Sequence, residues 1–262
     1  MIRKNKTIII LLLISSLAFL QGLQAQNLVP NPSFEMFKKC PNDYNIKYRK
    51  ELVTGWYMAT GSTPDYFNSC TRLQVGVPQN FMGSCFAKDG WAYAGIIVLL
   101  EPPVDSTSSA TDYREYLETK LNEPLARNQK YCVTFYFSVA PNSTYAVNRL
   151  GAYFSENKIG NRLSTRILNY KPQISLDSTT ILTEKQNWFA VSDTFCAKGN
   201  ERYLTIGNFY NDRKTWYKTL DVSGISKIQQ TKIAASKISY YYIDLVSVVK
   251  LVDGVMRNIE SH

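Results

Sequence analysis

The pattern of apolar residues constrains this chain most. They come in short runs rich in Tyr, Phe, Val and Ile, broken by Pro, Gly, Asn, Asp and Ser, and no run keeps a helical period for a useful length. The runs are NLVPNPSFEM, ELVTGWYM, WAYAGIIVLL, REYLETKL, YCVTFYFSVA, RLGAYFS, NWFAVSDTFCA, RYLTIGNFY and YYYIDLVSVVKL. Short strands spaced by turn residues predict a sandwich or barrel. In YCVTFYFSV, Tyr131, Val133, Phe135, Phe137 and Val139 share one face, and Cys132, Thr134, Tyr136 and Ser138 share the other. That is the period of a half-buried antiparallel strand. The run Tyr240 to Val249 is apolar on both faces except at Asp244 and Ser247, which predicts a central strand covered on both sides. The expected fold is all-β, an antiparallel sandwich in a single domain over residues 26–262.

Residues 1–25 are set apart. Arg3, Lys4 and Lys6 form a basic start, Ile8 to Leu20 is uncharged and apolar, and Leu23-Gln24-Ala25 offers a cleavage site. This is the layout of a secretory signal peptide. The apolar run is too short to span a bilayer, which needs roughly 20 residues, and no later segment approaches that length. The chain is therefore expected to be exported and not an integral membrane protein. Cleavage would remove three basic residues and no acidic one, lowering the net charge from +9 to +6. The remaining Arg and Lys are scattered, so nucleic acid is not an expected partner.

The single histidine is His262, the last residue. Hydrolase triads and histidine-built zinc sites need an imidazole fixed by packing, which a chain terminus does not provide. Two-carboxylate glycosidase chemistry needs only Asp and Glu. Asp89, Asp112, Glu115 and Glu118 are its candidates, but no spacing selects a pair and solvated charges at strand ends account for them. The chain is read as non-catalytic.

Five cysteines in an exported chain are read first as disulfides. Cys40 and Cys70 lie in turn-rich sequence and are expected to pair. Cys132 and Cys196 each sit in a predicted strand, either meeting as sheet neighbours in a second pair or remaining two buried thiols, and Cys85 is the expected free thiol. Glu101 to Asp112 reads as an exposed loop. Asn211 to Ser239 exceeds an ordinary connection of under about 15 residues and reads as a long loop or insertion.

A resemblance enters with the first and last runs. Asn31-Pro32-Ser33-Phe34-Glu35, then Trp56, then Tyr242-Ile243-Asp244-Leu245-Val246 resemble the opening strand, the following Trp and the closing strand of secreted jelly-roll modules of the galactose-binding-like, carbohydrate-binding-module-like kind. Leu245 stands where the second Asp of the closing pair is usual. The phrases GSTPDYFNSC, VPQNFMGSCFAKDGWAYAGI, PLARNQKYCVTFYFSVA and LTIGNF are similar to a domain of Bacteroidetes-type secreted envelope proteins, often found ahead of OmpA-like domains. The resemblance implies a jelly-roll β-sandwich at the periplasm or cell surface, associated with the outer membrane. It also implies that the opening Glu35 and the closing Asp244 hold a structural calcium. The alternative is that Asp244 hydrogen-bonds a neighbouring loop while Glu35 is exposed.

Aromatic residues are the usual platform for sugars. Trp56, Tyr57, Tyr66, Phe67, Trp91 and Tyr93 are the candidates, with core packing as the other reading of each. The phrase Thr63 to Asn68 reads as a turn or a binding loop. Two functions remain open. One is an accessory subunit of an outer-membrane or cell-surface assembly, docking protein. The other is a stand-alone glycan-binding protein. They separate on whether exposed aromatics converge on a groove or lie on a flat patch.

Overall fold

The computed structural model describes residues 26–43, 53–223 and 237–251, apart from residues 73, 104, 106, 108, 162, 177, 178 and 180. The signal-peptide reading of residues 1–25, residues 224–236 of the long insertion, and His262 lie outside the described residues.

Fourteen strands follow in chain order among the described residues: β1 Trp56–Met58, β2 Asp65–Asn68, β3 Gln79–Asn80, β4 Gly83–Ser84, β5 Ala92–Leu100, β6 Leu117–Lys120 and β7 Lys130–Val139. Then come β8 Tyr145–Val147, β9 Gly151–Ser155, β10 Ile174–Ser175, β11 Phe189–Cys196, β12 Tyr203–Gly207, β13 Tyr217–Thr219 and β14 Ile238–Lys250. One 3-10 turn, Asp212–Lys214, precedes β13. Two five-stranded antiparallel sheets form the sandwich, ordered β1-β6-β12-β9-β10 and β11-β7-β14-β5-β2. The all-β jelly-roll expectation holds.

Alternation decides what lies between the sheets. Tyr131, Val133, Phe135, Phe137 and Val139 of β7 all enter the central core, where they meet Trp56, Leu117, Ala152, Phe154, Leu204 and Ile206 from the first sheet. Strand β14 is central, flanked by β7 and β5. Its inward residues Tyr241, Ile243, Val246 and Val248 join that core. Its outward residues Tyr240 and Tyr242 join a second apolar cluster with Phe67, Tyr93, Val75, Met82 and Cys85. The segment 75–87 therefore roofs the outer face of the second sheet, and β14 is buried on both faces as its sequence predicts.

The first sheet is roofed too. Tyr116, Ile159, Leu168, Phe209 and Ala59 form a third cluster on its outer face. The molecule thus has a core between the sheets and an irregular layer outside each.

Three expectations change. The opening run NLVPNPSFEM is not a regular strand; Asn27 makes an isolated bridge to Val249, and the chain then turns under Trp56. The phrase Thr63 to Asn68 is not an exposed turn, because Asp65–Asn68 is the fully buried strand β2. The start of the long insertion is ordered, as the 3-10 turn and β13, which pairs with β8.

The cysteines are sorted by register. Cys40 and Cys70 are joined by a disulfide, 30 positions apart. Cys132 and Cys196 lie on neighbouring strands, but the pairing sets Cys132 opposite Thr194 and Cys196 opposite Lys130. They are diagonal neighbours, about 7–8 Å apart, beyond the usual reach of a disulfide. Both thiols are free; Cys132 is half-buried and Cys196 exposed, which corrects both readings of this pair. Cys85 is free and buried as expected, and burial pushes its thiol up to about 11.

The disulfide closes the only covalent loop among the described residues. Loop-closure entropy for that span amounts to about 3–4 kcal/mol. The variant Cys40→Ser/Cys70→Ser is expected to unfold at lower denaturant with a somewhat steeper dependence on denaturant concentration, because the uncrosslinked unfolded chain exposes more surface, checked by urea titration.

Candidate functional site

The geometry of the sheet ends is set by carboxylates that hold backbone. Glu35 Oε1 accepts from the N–H groups of Trp91 and Ala92 at 2.7 and 2.9 Å. Asp244 Oδ2 accepts from the N–H groups of Lys88 and Asp89 at 2.8 and 3.0 Å, and its Oδ1 accepts from Leu245 N–H at 2.7 Å. Asp89 in turn accepts from the Ser33 hydroxyl at 2.7 Å. The connection 88–92 is thereby clamped from both sides. Gly90 sits in the left-handed region (φ 65°), and a Cβ there would strike the Glu35 carboxylate.

This donor set does not fit calcium. The ion needs six to eight oxygens around it, whereas the two carboxylates inherited from the resemblance face N–H dipoles of the wrong sign. Among the described residues no three His, Cys, Asp or Glu side chains gather in one group. The loop-binding alternative describes Asp244. Glu35 is not idle at the surface but the second half of the clamp.

The aromatic candidates divide sharply. Trp56 is in the core and donates its indole N–H to Asn31 O at 2.8 Å. Tyr66 is buried with its hydroxyl on Phe34 O, and Tyr93 is buried with its hydroxyl on Cys85 O. Phe67 is enclosed by Tyr93, Tyr240 and Tyr242. These four offer no face to a ligand, for the ordinary reason that large apolar area is most favourable inside. Trp91 alone is open, 69% exposed. Tyr57 is half-buried beneath the Lys158 ammonium, 3.7 Å from its ring centre.

Three of the four glycosidase candidates, Glu115, Glu118 and Asp112, serve the backbone, and the fourth, Asp89, accepts the Ser33 hydroxyl. Glu115 is buried, accepting from Ile97 N–H at 2.8 Å and from the Tyr113 hydroxyl at 2.9 Å. Glu118 is buried and accepts Ile159 N–H at 2.6 Å. Asp112 accepts Asp212 N–H at 2.9 Å. Glu115 and Glu118 are not solvated strand-end charges, while Asp89 is exposed.

The open concave surface lies elsewhere, on the layer over the first sheet. Across that sheet Tyr57, Glu118, Thr205 and Tyr153 stand in register on the outer face. The irregular segment 156–170 crosses this face. Glu118 holds it at Ile159, the Tyr116 hydroxyl accepts Leu168 N–H at 3.0 Å, and Arg114 N–H donates to Thr165 O at 3.0 Å. Beyond it the turn 208–215 is pinned by a fully buried ion pair, Arg114 Nη1 to Asp212 Oδ1 at 2.7 Å. Arg114 also donates to the carbonyls of Tyr113 and Tyr210 at 2.8 and 2.7 Å.

Between these pieces Tyr170 stands as a ridge. Its ring stacks on Tyr153 at 4.6 Å with an 8° tilt, and it is 43% exposed. A cavity of about 400 Å³ on one side is lined by Tyr153, Asn157, Lys158 and Asn161 among others. A second, of about 430 Å³, is lined by Tyr210, Asn211, Lys171 and Lys214 among others. Tyr170 belongs to both walls. Sequence reading missed this site because Tyr170 and its neighbours in 156–170 come from a segment without period or motif, while Tyr153, Phe209 and Tyr210 sit in or beside strand runs that give no sign of converging. The aromatic spacing Tyr153, Tyr170, Phe209, Tyr210 is visible only once β9 and β12 are neighbours.

Burial raises the carboxyls beneath these layers. Desolvation pushes Glu115 and Glu118 each up to about 7, against the hydrogen bonds they accept, and Asp244 up to about 8. Asp65, which accepts the Tyr240 hydroxyl at 2.6 Å, is raised by burial first and by the Glu115 charge second. Glu118 Oε2 has no hydrogen-bond partner among the described residues, so its charged form is served on one oxygen only.

Two measurements follow. Groups raised on folding hold protons more tightly folded than unfolded, so their contribution is complete below the ordinary carboxylate values and is lost as pH rises through about 7 for Glu115 and Glu118 and about 8 for Asp244. Thermal unfolding is expected at progressively lower temperature across that rise, with a shallower slope in Glu118→Gln; a melting temperature that climbs instead contradicts the burial argument. Calcium or a chelator is expected to leave the melting temperature unmoved, since specific binding to the native state must raise it.

No protein-family model and no curated protein matches the chain. Among solved structures it is similar to the K1 cleaved adhesin domain of Lys-gingipain from Porphyromonas gingivalis W83, at 11% identity and TM-score 0.37, covering 76% of this chain and 92% of that one. It is similar to the CBM22-1 xylan-binding domain from Paenibacillus barcinonensis Xyn10C, at 10% identity and TM-score 0.39, covering 86% and 95%. The tandem CBM22-1-CBM22-2 domain of that protein gives 11% identity and TM-score 0.41, covering 84% of this chain and 49% of that one. These likenesses concern the fold alone.

Proposed function

We propose that the chain is an exported, non-catalytic recognition domain that binds carbohydrate in the groove at Tyr170. The observation that carries the reading is the Tyr153–Tyr170 stack, which holds one aromatic ring as a half-exposed ridge between two cavities rich in Asn, Lys and Tyr. A flat, rigid aromatic face beside amide and hydroxyl groups suits a sugar ring, whose faces are apolar and whose rim is polar. Export is supported by the N-terminal sequence and by the Cys40–Cys70 disulfide, a bond that persists in oxidising compartments. A binding role without chemistry is supported by the acidic residues, which are spent on holding loops.

A second reading, docking to an outer-membrane or cell-surface protein, is favoured by Phe86 and Trp91. They are 75% and 69% exposed within one short segment. Such large apolar side chains in the open are typical of contact surfaces.

Glycan-array binding of the full chain beside Tyr170→Ala and Trp91→Ala separates the readings. Loss of the ridge ring is expected to weaken saccharide binding by about fivefold, about 1 kcal/mol, with Trp91→Ala unaffected. Saccharide binding left unchanged by Tyr170→Ala overturns this site, and a pull-down from solubilised envelope that retains a stoichiometric protein, lost only in Trp91→Ala, favours docking.

A further inference from the structure

The two cavities beside Tyr170 differ in charge. The first is lined by both Glu156 and Lys158, and the Lys158 ammonium is already engaged over Tyr57. The second is lined by Lys171 and Lys214 and by no carboxylate. The nearest acid in sequence to that wall, Asp212, is fully buried and neutralised by Arg114. Tyr210, on the same wall, is held by the Arg149 guanidinium stacked on its ring at 4.2 Å. The backbone here is fixed: the Asn211 side chain accepts Lys214 N–H at 2.9 Å, and the Arg114–Asp212 pair anchors the turn.

We infer that the ligand is an acidic oligosaccharide laid across Tyr170, with an anionic group of one unit in the Lys171–Lys214 cavity. The inference rests on the carbohydrate reading above and adds a sign and a length to it. One aromatic ridge shared by two cavities fits a chain of linked units better than a single sugar. A cavity with two ammonium groups and no compensating carboxylate favours a uronate carboxylate or a sulfate ester over a neutral unit. Both anions present the same chemistry to the lysines, and only the probes tell them apart.

The test is calorimetric titration of the full chain with tetragalacturonate, a sulfated galactan tetrasaccharide and cellotetraose. At low salt one of the anionic probes is expected to bind about tenfold or more tighter than cellotetraose, with the gap narrowing at about 0.5 M salt as screening sets in. Lys171→Gln/Lys214→Gln is expected to remove most of that gap, read as the ratio of anionic-probe to cellotetraose affinity within the variant. Lys130→Gln/Lys250→Gln removes equal charge from exposed positions on the second sheet and is expected to leave the gap intact. Equal binding of neutral and anionic probes, or equal losses from the two lysine pairs, overturns the inference. In either case the carbohydrate reading stands if Tyr170→Ala weakens cellotetraose binding by about fivefold. If the wild-type chain binds none of the three probes, the inference and the reading beneath it both fall.

Discussion

The structure depends on one constraint, the hydrogen-bonding of backbone that is packed on a sheet without belonging to it. A sandwich satisfies its own strands through ladders, but this one carries an irregular layer outside each sheet, and every N–H there needs an acceptor. Buried carboxylates supply many of them. Glu35 and Asp244 hold the 88–92 connection, Glu115 takes Ile97, Glu118 takes Ile159, and Asp212 takes Asp112. A carboxylate is well suited to this because one oxygen can accept two N–H groups, as Glu35 Oε1 does. An unpaired buried N–H would cost about 1–3 kcal/mol, so removing any one of these acids affects the path of a whole segment.

The same solution fixes the electrostatic character of the molecule. A carboxyl that leaves water loses more solvation than a few amide dipoles return, so Glu115, Glu118 and Asp244 are displaced upward despite their hydrogen bonds. Arg114 and Asp212 solve the problem differently. They bury two charges together and spend the spare guanidinium donors on the carbonyls of Tyr113 and Tyr210. Such a pair owes much of its value to position rather than net stability. Here the position is the turn that carries Tyr210, Asn211 and Lys214 to the groove.

What was legible in the sequence was whatever obeys a period. β7 and β14 announce themselves, the first by strict alternation and the second by apolarity on both faces, and both are central to the second sheet. The Cys40–Cys70 bond was legible from its turn-rich surroundings. The carboxylates were not, because a Glu in REYLETKL looks the same whether its strand faces water or a loop laid over it. Trp56, Tyr66, Phe67 and Tyr93 misled for a related reason: composition shows that a ring is present, while topology decides whether its face is covered. The segment 156–170 has neither period nor motif, so the ridge residue Tyr170 had no signal until β9 brought Tyr153 beneath it.

That last point bears on where recognition takes place. A jelly roll offers two outer sheet faces as natural binding platforms, and here clusters of apolar side chains fill both. Tyr93, Tyr240 and Tyr242, which on a bare sheet would make an aromatic platform, are sealed under residues 75–87. On the first sheet Tyr57 and Tyr153 flank Glu118 and Thr205 in one row, and the segment 156–170 roofs the middle of it. Contact with a ligand therefore passes from sheet to cover. Tyr153 transmits the rigidity of β9 to Tyr170 through a nearly parallel stack, and Arg114 transmits that of the β6 edge to the turn at Tyr210. The groove combines loop-borne residues with a half-buried support in Tyr153 and a fully buried one in Arg114, and that combination is what specificity on an irregular surface requires.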